Sequence, residues 1–523
     1  MKLKKKIVSV LLAAVMVLAM CVPAMAYTIT GPENDHTYEV YQIFKGTLTG
    51  NVLSDIKWGK NAKGQTEGDV VPDSVLKELE NLNGKNDTDK LNAIAKYADL
   101  DALKKFGEVS KTAALNNVPA GYYLIKDKNG SFTGKDDAYT KYIVKIVNDV
   151  TIVPKSEKPS VEKKVQENVK SDNTTGGYGD KYNDTADYNI GDDVPFRLYG
   201  KVIDMSEYKT YKYIFHDTCA DSLDINDNVA VYYSADKAGT SKVAIDSGLY
   251  KVDRTNHTLT VSFDDLKQVK NNSAVISTGY IIVEYTAKLN SDAAIGQGTV
   301  GSSGNGNVNE VYLEYSNNPN QGGEGETGKT PKDKVIVFTY ELDVTKVDGA
   351  DPNTKLENAE FVLYRGSGEN IEYAKVDTTN SKVTGWTTNK NEASVLKSDS
   401  NGLFSVIGLD DGIYYLEETK APSGYNTLPE PVKVEIKADT SNGQNGDGQV
   451  TELKKIEVKV KDGAKTSGNA VNGTVGVTVE NNSGSTLPET GGIGTTIFYV
   501  VGVILMLGAG VLLVTKKRMS SNR

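Results

Sequence analysis

Three polar residues lie on otherwise apolar strand faces in the C-terminal third of the chain: Lys346, Glu418 and Asn481. Residues two positions apart share a face of a β-strand, so the apolar residues at i−2 and i−4 direct each side chain toward a core. Burial raises the pKa of a carboxyl and lowers that of an amine. A neutral Lys346 can then attack the Asn481 carboxamide and release ammonia, with protonated Glu418 polarising the carbonyl. The alternative is a buried Lys346–Glu418 salt bridge.

A second set with the same alternation occurs in the middle third: Lys163, Asp217 and Asn317. Each follows or interrupts a run in which apolar residues occupy every second position, so the three are predicted to share an interior. Lys164 and Asn318 are the alternatives, because a shift of one residue exchanges the two faces of a strand. The other interpretation is a group of partly exposed polar residues at strand ends.

The residues around Glu418 match a longer pattern. Tyr-x-Leu-x-Glu-Thr-x-Ala-Pro-x-Gly-Tyr is present from Tyr414 to Tyr425, and it resembles the E-box of Gram-positive pilins and of collagen-adhesin B-type (CnaB) domains. The resemblance implies an internal Lys–Asn isopeptide bond that Glu418 promotes. The contexts of Lys163 and Asn317 resemble the collagen-adhesin A-like (CnaA) middle domain of backbone pilins. There the resemblance implies a second Lys–Asn bond, with Asp217 as the promoting acid.

A further motif, formed by Leu487, Pro488, Glu489, Thr490 and Gly491, precedes an apolar run over 497–514 and a basic tail. Such a run can cross a bilayer core, and the basic residues favour a cytoplasmic end. The combination resembles the cell-wall sorting signal of Gram-positive surface proteins. In that family a sortase cleaves between the residues matching Thr490 and Gly491 and transfers the threonine acyl group to an amine. The alternative is a plain membrane anchor with a chance pentapeptide.

The predicted acceptor amine is Lys155, at the end of Val-Thr-Ile-Val-Pro-Lys. The segment resembles the pilin motif, in which a lysine after an apolar strand and a proline receives the sortase-bound threonine. The family usually has Tyr before the proline, where this chain has Val153. Pro154 removes a backbone donor and ends the strand, which would leave Lys155 exposed. An ordinary solvated lysine is the alternative interpretation, and Lys158 is the nearest rival acceptor.

Composition and charge narrow the functional classes. A basic start, an apolar run over 7–22 and small residues up to Ala26 indicate a secretory signal peptide. Residues 1–26 and 491–523 together carry eight basic and no acidic residues. Without them the net charge of −10 becomes −18 for residues 27–490. A surface this acidic argues against nucleic-acid binding. Cys219 is the one cysteine after the signal, so no internal disulfide can form, and the three histidines lack metal-ligand spacing.

Short alternating runs separated by Gly, Asn and Asp predict a mainly β chain of tandem immunoglobulin-like (CnaA/CnaB-type) sandwiches. The predicted parts are a signal peptide (1–26), an N-terminal domain (27–153), a linker (154–160), a middle sandwich (161–335), a C-terminal sandwich (336–482) and the sorting region with its transmembrane helix (483–523). Helical spacing between Pro72 and Gly107 predicts a helical insertion in the N-terminal domain. That domain is expected to lack an E-box bond, because Lys126 aligns with Glu418.

The whole chain resembles a backbone (major) pilin of a sortase-assembled pilus. The resemblance implies a secreted, wall-anchored structural subunit that is not an enzyme, needs no cofactor or metal, and supports adhesion. Implied partners are other copies of the chain, a class C pilus sortase, a housekeeping sortase, peptidoglycan, ancillary or tip pilins and host surface ligands. The alternative is a monomeric wall-anchored adhesin or ancillary pilin. A secreted hydrolase lacks a supporting set of residues, since no nucleophile–histidine pair stands out.

Overall fold

Strands dominate the computed structural model of the chain, which confirms the prediction of a mainly β protein. The structure describes residues 26–50, 52–85, 87–131, 138–153, 157–168, 182–297, 306–319, 323, 325, 327–440, 453–484 and 493–520. The sheets form three units that follow one another along the described residues, and an apolar helix comes after the third unit.

The first unit packs a five-stranded sheet against a three-stranded sheet, in the orders β3-β2-β6-β7, with β4 on β2, and β5-β1-β8. Its elements are β1 (Ala26–Thr30), β2 (Thr37–Thr49), β3 (Val52–Trp58), α1 (Asp73–Glu80), α2 (Asp87–Ala95), β4 (Gly107–Ser110), β5 (Leu115–Pro119), β6 (Gly121–Asp127), β7 (Lys141–Ile146) and β8 (Val150–Thr151). Both faces of β2 are buried. Tyr41 and Ile43 pack toward Leu91 and Ile94 of α2, while Val40 packs toward the smaller sheet.

The middle unit has two seven-stranded sheets and a short hairpin, β19-β20. One sheet has the order β10-β9-β12-β21-β15-β16, with β14 on β21. The other has the order β11-β24-β22-β13-β18-β17, with β23 on β22. The strands are β9 (Val161–Gln166), β10 (Tyr182–Asn183), β11 (Thr185–Asp187), β12 (Asp193–Lys201), β13 (Tyr213–Cys219), β14 (Leu223–Ile225), β15 (Ala230–Ser234), β16 (Val243–Ala244), β17 (Lys251–Thr255), β18 (Thr258–Phe263), β19 (Lys270–Asn271), β20 (Ala274–Val275), β21 (Tyr280–Leu289), β22 (Asn307–Ser316), β23 (Thr327–Lys329) and β24 (Asp333–Phe338).

The third unit is a single sheet of eleven strands, in the order β34-β33-β32-β31-β26-β27-β28-β30-β25-β35, with β29 on β26. The strands are β25 (Tyr340–Asp348), β26 (Glu360–Arg365), β27 (Glu372–Asp377), β28 (Lys382–Thr387), β29 (Leu396–Lys397), β30 (Leu403–Leu409), β31 (Gly412–Lys420), β32 (Val432–Asp439), β33 (Lys455–Val460), β34 (Lys465–Ser467) and β35 (Thr474–Asn481). The first strand, β25, runs parallel to the last, β35. Helix α3 (Ile493–Ser520) includes Ile497–Met519, a stretch long and apolar enough to cross a membrane.

The change from the middle to the third unit falls between Phe338 and Tyr340. Strand β24 crosses the predicted boundary at 335, yet it pairs with β11 and β22 of the middle unit. Tyr340 opens β25, which pairs only with strands of the third unit. The buried apolar residues of the two units form one continuous cluster, so the two units pack closely.

Backbone and side-chain contacts fix this junction. Ile190 N donates to Gly408 O at 2.9 Å, and Arg365 donates to both carboxylate oxygens of Asp192 at 2.7 and 2.8 Å. Gly408 has φ +99°, and a Cβ added there would overlap the Ile190 side chain. Only glycine therefore allows this close approach without strain.

Gly408→Ala is expected to lower the free energy of unfolding by about 1–3 kcal/mol, because the new methyl overpacks the junction and the backbone conformation disfavours a Cβ. Chemical denaturation of the variant beside the wild type measures the loss. Gly476→Ala in β35 is the matched control, since a Cβ there meets nothing within 4 Å. Equal stability of the two variants would contradict the role given to Gly408.

Candidate functional site

The first candidate site is a buried group of Lys346, Glu418 and Asn481 in the third unit. All three side chains lie in the interior, with 0, 6 and 0% of their surface exposed. Lys346 sits on β25 opposite Val479 of β35, so Asn481 is two residues further along the neighbouring parallel strand and on the same face. The structure thus brings together the three residues that the alternation of apolar positions predicts.

Hydrogen bonds orient the amide and the acid of this group. Asn481 Nδ2 donates to Glu418 Oε2 at 2.9 Å, and the backbone N of Leu428 donates to the same oxygen at 2.8 Å. Glu418 Oε1 and Asn481 Oδ1 are buried without a hydrogen-bond partner among the described residues. An amide oxygen without a donor can accept a hydrogen bond from an acid, which would polarise the carbonyl carbon toward a nucleophile.

The environment of Lys346 favours a neutral amine. Its Nζ donates to the backbone oxygen of Val479 at 3.0 Å rather than to a carboxylate. Burial lowers the pKa of Lys346 to about 8, and the carboxyl of Glu418 opposes that shift. The direct Lys346–Glu418 salt bridge, the alternative raised from the sequence, does not form in the described structure.

The second candidate site lies between the two sheets of the middle unit. Lys163 on β9 forms a fully buried ion pair with Asp217 on β13. The hydroxyl of Tyr285 on β21 accepts from Lys163 Nζ at 2.9 Å and donates to Asp217 Oδ1 at 2.9 Å. Burial raises the pKa of Asp217, and the nearby Lys163 amine works against that rise. Lysine and acid are therefore in direct contact, as predicted.

Asn309, rather than the predicted Asn317, completes this site. Its side chain is fully buried and its Nδ2 donates to the Tyr285 hydroxyl at 2.7 Å. The buried Asn309 Oδ1 has no hydrogen-bond partner among the described residues. Tyr285 therefore connects the lysine, the acid and the amide of a single cluster.

The register of β13 with β22 explains why Asn317 lies far from Lys163 and Asp217. Asp217 pairs with Val311, whereas Asn317 lies six residues beyond Val311. At about 3.3 Å per residue, that is roughly 20 Å along the strand direction. At that position the backbone oxygen of Asn317 accepts a hydrogen bond from the backbone N of Tyr139 in the first unit, at 2.7 Å. Asn309 shares its strand face and was detectable from the same alternation, but its position along the strand needed the pairing of β13 with β22.

The two alternative residues named from the sequence, Lys164 and Asn318, lie outside this cluster. Lys164 lies on the opposite face of β9, where it forms an ion pair with Asp184. Asn318 is buried past the end of β22. Lys126 of the first unit, which aligns with Glu418, pairs with Glu39 at 2.6 Å. The predicted lack of an E-box bond in that unit stays a prediction.

Lys155 and the motif Leu487–Gly491, including Pro488, Glu489 and Thr490, lie outside the described residues, as does the predicted signal peptide up to residue 25. Their flanks are described. Before Lys155, Ile152 is buried and its backbone N donates to Thr30 O at 3.0 Å, while the Val153 side chain is 72% exposed. The chain thus leaves the first unit at Val153, and the rival Lys158 is exposed just beyond.

Cys219 belongs to the surroundings of the second site. Its thiol is buried, and its Sγ lies 3.9 Å from Asp217 Oδ1. Burial raises the pKa of the Cys219 thiol well above its usual range, with the Asp217 charge adding to the rise. A thiol held neutral in this way is a poor nucleophile, so Cys219 acts here as a packing residue.

Two family profiles match parts of the chain. Residues 340–446 match the SpaA prealbumin-like fold domain, and residues 479–521 match the LPXTG cell wall anchor motif. The first match contains the strands of Lys346 and Glu418, and the second contains residues 487–491, the apolar run over 497–514 and the basic residues 516–518. The chain therefore carries a prealbumin-like SpaA domain and a Gram-positive cell wall anchor, which places it at the cell wall surface.

The chain is also similar to one curated relative and to several solved structures. The chain is 25% identical over 453 residues to the trypsin-resistant surface T6 protein of Streptococcus pyogenes serotype M6, covering 74% of each chain. The solved T6 backbone pilin of S. pyogenes shares 19% identity over 88% of this chain and 98% of that one, with a TM-score of 0.46. The pilus 2b backbone protein of group B streptococcus shares 24% identity over 57% of this chain and 95% of that one, with a TM-score of 0.40. The predicted resemblance is confirmed by the two profile matches and by the T6 relative.

The lowered pKa of Lys346 predicts a pH dependence in a chain that cannot form a bond there, such as Asn481→Ala. The unfolded amine keeps its ordinary pKa near 10.5, against about 8 in the folded state. Between these values the unfolded state binds more protons, so the free energy of unfolding should rise as the pH goes from about 8 to about 10.5.

Denaturation of Asn481→Ala across this pH range measures the slope. Adding Lys346→Met provides the control, because it removes the titrating amine and should flatten that part of the profile. The same slope with and without Lys346 would show that its amine is not the group responsible.

Proposed function

We propose that this chain is the structural shaft subunit of a covalently polymerised cell-surface pilus. The proposal is carried by two buried lysine–acid–asparagine clusters in a wall-anchored relative of the T6 protein. In this proposal residues 27–153, 161–335 and 336–482 are its three domains, with β24 extending the middle one to Phe338. The clusters brace the domains internally, and sortase joins the subunits.

In the C-terminal domain the Lys346 amine attacks the side-chain carbonyl carbon of Asn481. A C–N bond forms, the bond from that carbon to Nδ2 breaks, and ammonia leaves. Glu418 can carry a proton from the attacking amine to the leaving Nδ2, because its Oε2 already lies 2.9 Å from that nitrogen. The lowered pKa of Lys346 supplies the neutral nucleophile that the reaction needs.

In the middle domain the same exchange joins Lys163 to Asn309, with Asp217 as the proton carrier. Tyr285 acts as a positioning residue, since its hydroxyl contacts the amine, the acid and the amide at 2.7–2.9 Å. Lys163 lies in one sheet of the sandwich and Asn309 in the other. This bond would therefore hold the two sheets together.

Between subunits, we assign Thr490 as the acyl donor and Lys155 as the acceptor. A class C pilus sortase would cleave after Thr490 and pass its acyl group to Lys155 of another copy. Because donor and acceptor lie at different places on the chain, the contact is heterologous and does not close, which produces a fibre. A housekeeping sortase would attach the finished fibre to peptidoglycan, and ancillary or tip pilins and host surface ligands would be bound by the assembly in adhesion.

The second candidate function is a monomeric wall-anchored adhesin or ancillary pilin. The anchor and the sandwich domains fit both functions. Only a shaft subunit needs both a donor threonine and an internal acceptor lysine, so the acceptor separates the two.

Lys155→Ala is expected to abolish the ladder of high-mass species on denaturing gels of cell-wall extracts, because the amide between subunits cannot form. Immunoblots of bacteria that express each variant provide the measurement. Lys158→Ala is the matched control and should keep the ladder. A ladder that persists in Lys155→Ala would remove this lysine as the acceptor, and a ladder lost only in Lys158→Ala would move the assignment to the rival.

The intact mass of the chain without its signal peptide is expected to be lower than the mass calculated for the same residues by two molecules of ammonia, one for each internal bond. Asn309→Ala and Glu418→Ala should each retain only one loss, whereas Asn317→Ala should retain both. High-resolution mass spectrometry of the four proteins decides the outcome. An unchanged wild-type mass would refute both bonds, and a bond lost in Asn317→Ala would restore the original sequence assignment.

A further inference from the structure

Three aspartates from two domains meet at the junction between the middle and C-terminal units. One carboxylate oxygen from each of Asp187, Asp410 and Asp411 lies within 4.8 Å of the other two. Asp187 ends β11 of the middle unit, whereas Asp410 and Asp411 form the turn between β30 and β31. A fourth carboxylate is close, because the backbone N of Asp187 donates to Glu167 Oε2 at 3.3 Å. Four carboxyl groups from three separate segments of the chain thus lie close together at this junction.

We refer to Asp187, Asp410 and Asp411 as the acidic junction. Its hydrogen bonds leave two carboxylate oxygens without a donor among the described residues. Tyr340 OH donates to Asp187 Oδ2, and Asn168 Nδ2 donates to Asp410 Oδ2, both at 2.8 Å. Asp410 is only 3% exposed, yet its Oδ1 has no hydrogen-bond partner among the described residues, and the same holds for Asp411 Oδ1. No lysine or arginine of the described ranges forms an ion pair with the three aspartates. A buried carboxylate oxygen without a donor points to a missing positive partner.

The spacing of the carboxylates at the acidic junction also calls for such a partner. Asp187 and Asp410 are buried, and one oxygen of each lies within 4.8 Å of an oxygen of Asp411. Like charges at this spacing are stable only when protons or a cation neutralise them.

We propose that the acidic junction binds one divalent cation of the Ca²⁺ type, with Asp187, Asp410 and Asp411 as ligands from both domains. Ca²⁺ takes oxygen ligands at about 2.3–2.6 Å, so its ligand atoms lie up to roughly 5 Å apart, which matches the observed spacing. Asp411 is only partly buried and opens the site to solvent. Unlike Mg²⁺, which demands near-ideal octahedral geometry, Ca²⁺ tolerates the irregular set of oxygens found here.

The surrounding contacts hold these ligands in place before any ion binds. Asn189 Oδ1 accepts from the Tyr414 hydroxyl at 2.8 Å and from the backbone N of Asp410 at 3.2 Å. The bidentate Arg365–Asp192 pair crosses the same junction. A cation bound here would clamp the two domains without altering the internal crosslinks, so the inference is independent of the proposed isopeptide chemistry.

Calcium titration of the full chain, purified in detergent and stripped with EDTA at pH 7.5, tests the proposal. Calorimetry is expected to show one Ca²⁺ per chain, with a Kd on the order of 0.1–1 mM as in extracellular modules. The unfolding temperature should rise as Ca²⁺ is added, because the ion binds only the folded junction. Asp410→Asn and, as a second variant, Asp411→Asn should lose both effects. Asp221→Asn is the matched control, since that side chain is 92% exposed and lies elsewhere.

A second comparison separates a cation from shared protons. In metal-free buffer Asp410→Asn should unfold at a higher temperature than the wild type, because it removes one buried like charge. If shared protons hold the carboxylates, acid alone should stabilise the metal-free wild type and Ca²⁺ should change nothing, which would overturn the proposal. One bound Ca²⁺ persisting in both variants would overturn it equally.

Discussion

The structure depends on lysine amines held out of water beside an asparagine amide. Lys163 and Lys346 are fully buried, and a buried charge is costly unless a partner neutralises it. In the middle unit that partner is Asp217, while in the C-terminal unit burial lowers the pKa of the amine instead. Both arrangements need strands that only the folded units bring together, so folding precedes any bond. A bond, once formed, replaces a costly amine with a neutral amide and holds the fold that produced it.

The placement of the two clusters suits a protein that transmits force. Lys346 and Asn481 lie on neighbouring parallel strands, β25 and β35, which begin and end the C-terminal unit. A crosslink there would pass tension from one end of the unit to the other without unravelling the strands between. Lys163 and Asn309 lie on opposite sheets, so a bond between them would resist their separation. If the proposed bonds form, the described part of the chain, whose one cysteine is Cys219, would gain from them what small secreted domains obtain from disulfides.

The sequence predicted all three residues that the structure brings together in the C-terminal unit, but only Lys163 and Asp217 of those that it brings together in the middle unit. The period of two in a strand determines which face a residue occupies, and this was sufficient for Lys346, Glu418 and Lys163. It does not determine position along the strand, so Asn317 and Asn309 were equivalent until the pairing of Asp217 with Val311 distinguished them. The acidic junction could not be predicted, because its carboxylates come from segments far apart in the chain. The boundary between the middle and C-terminal units at Phe338 could not be predicted either. Strands β24 and β25 are both apolar, and only their pairing partners assign them to different units.

Peptide mapping of purified filaments by mass spectrometry tests the central claim most directly. The account predicts three branched peptides after digestion, joining Thr490 to Lys155, Lys163 to Asn309 and Lys346 to Asn481. Each internal branch should be lighter than its two parent peptides by one ammonia. Linear peptides with unmodified Lys155, Lys163 and Lys346 in intact filaments would contradict the account, because the polymer and its domains would then be held together by other means.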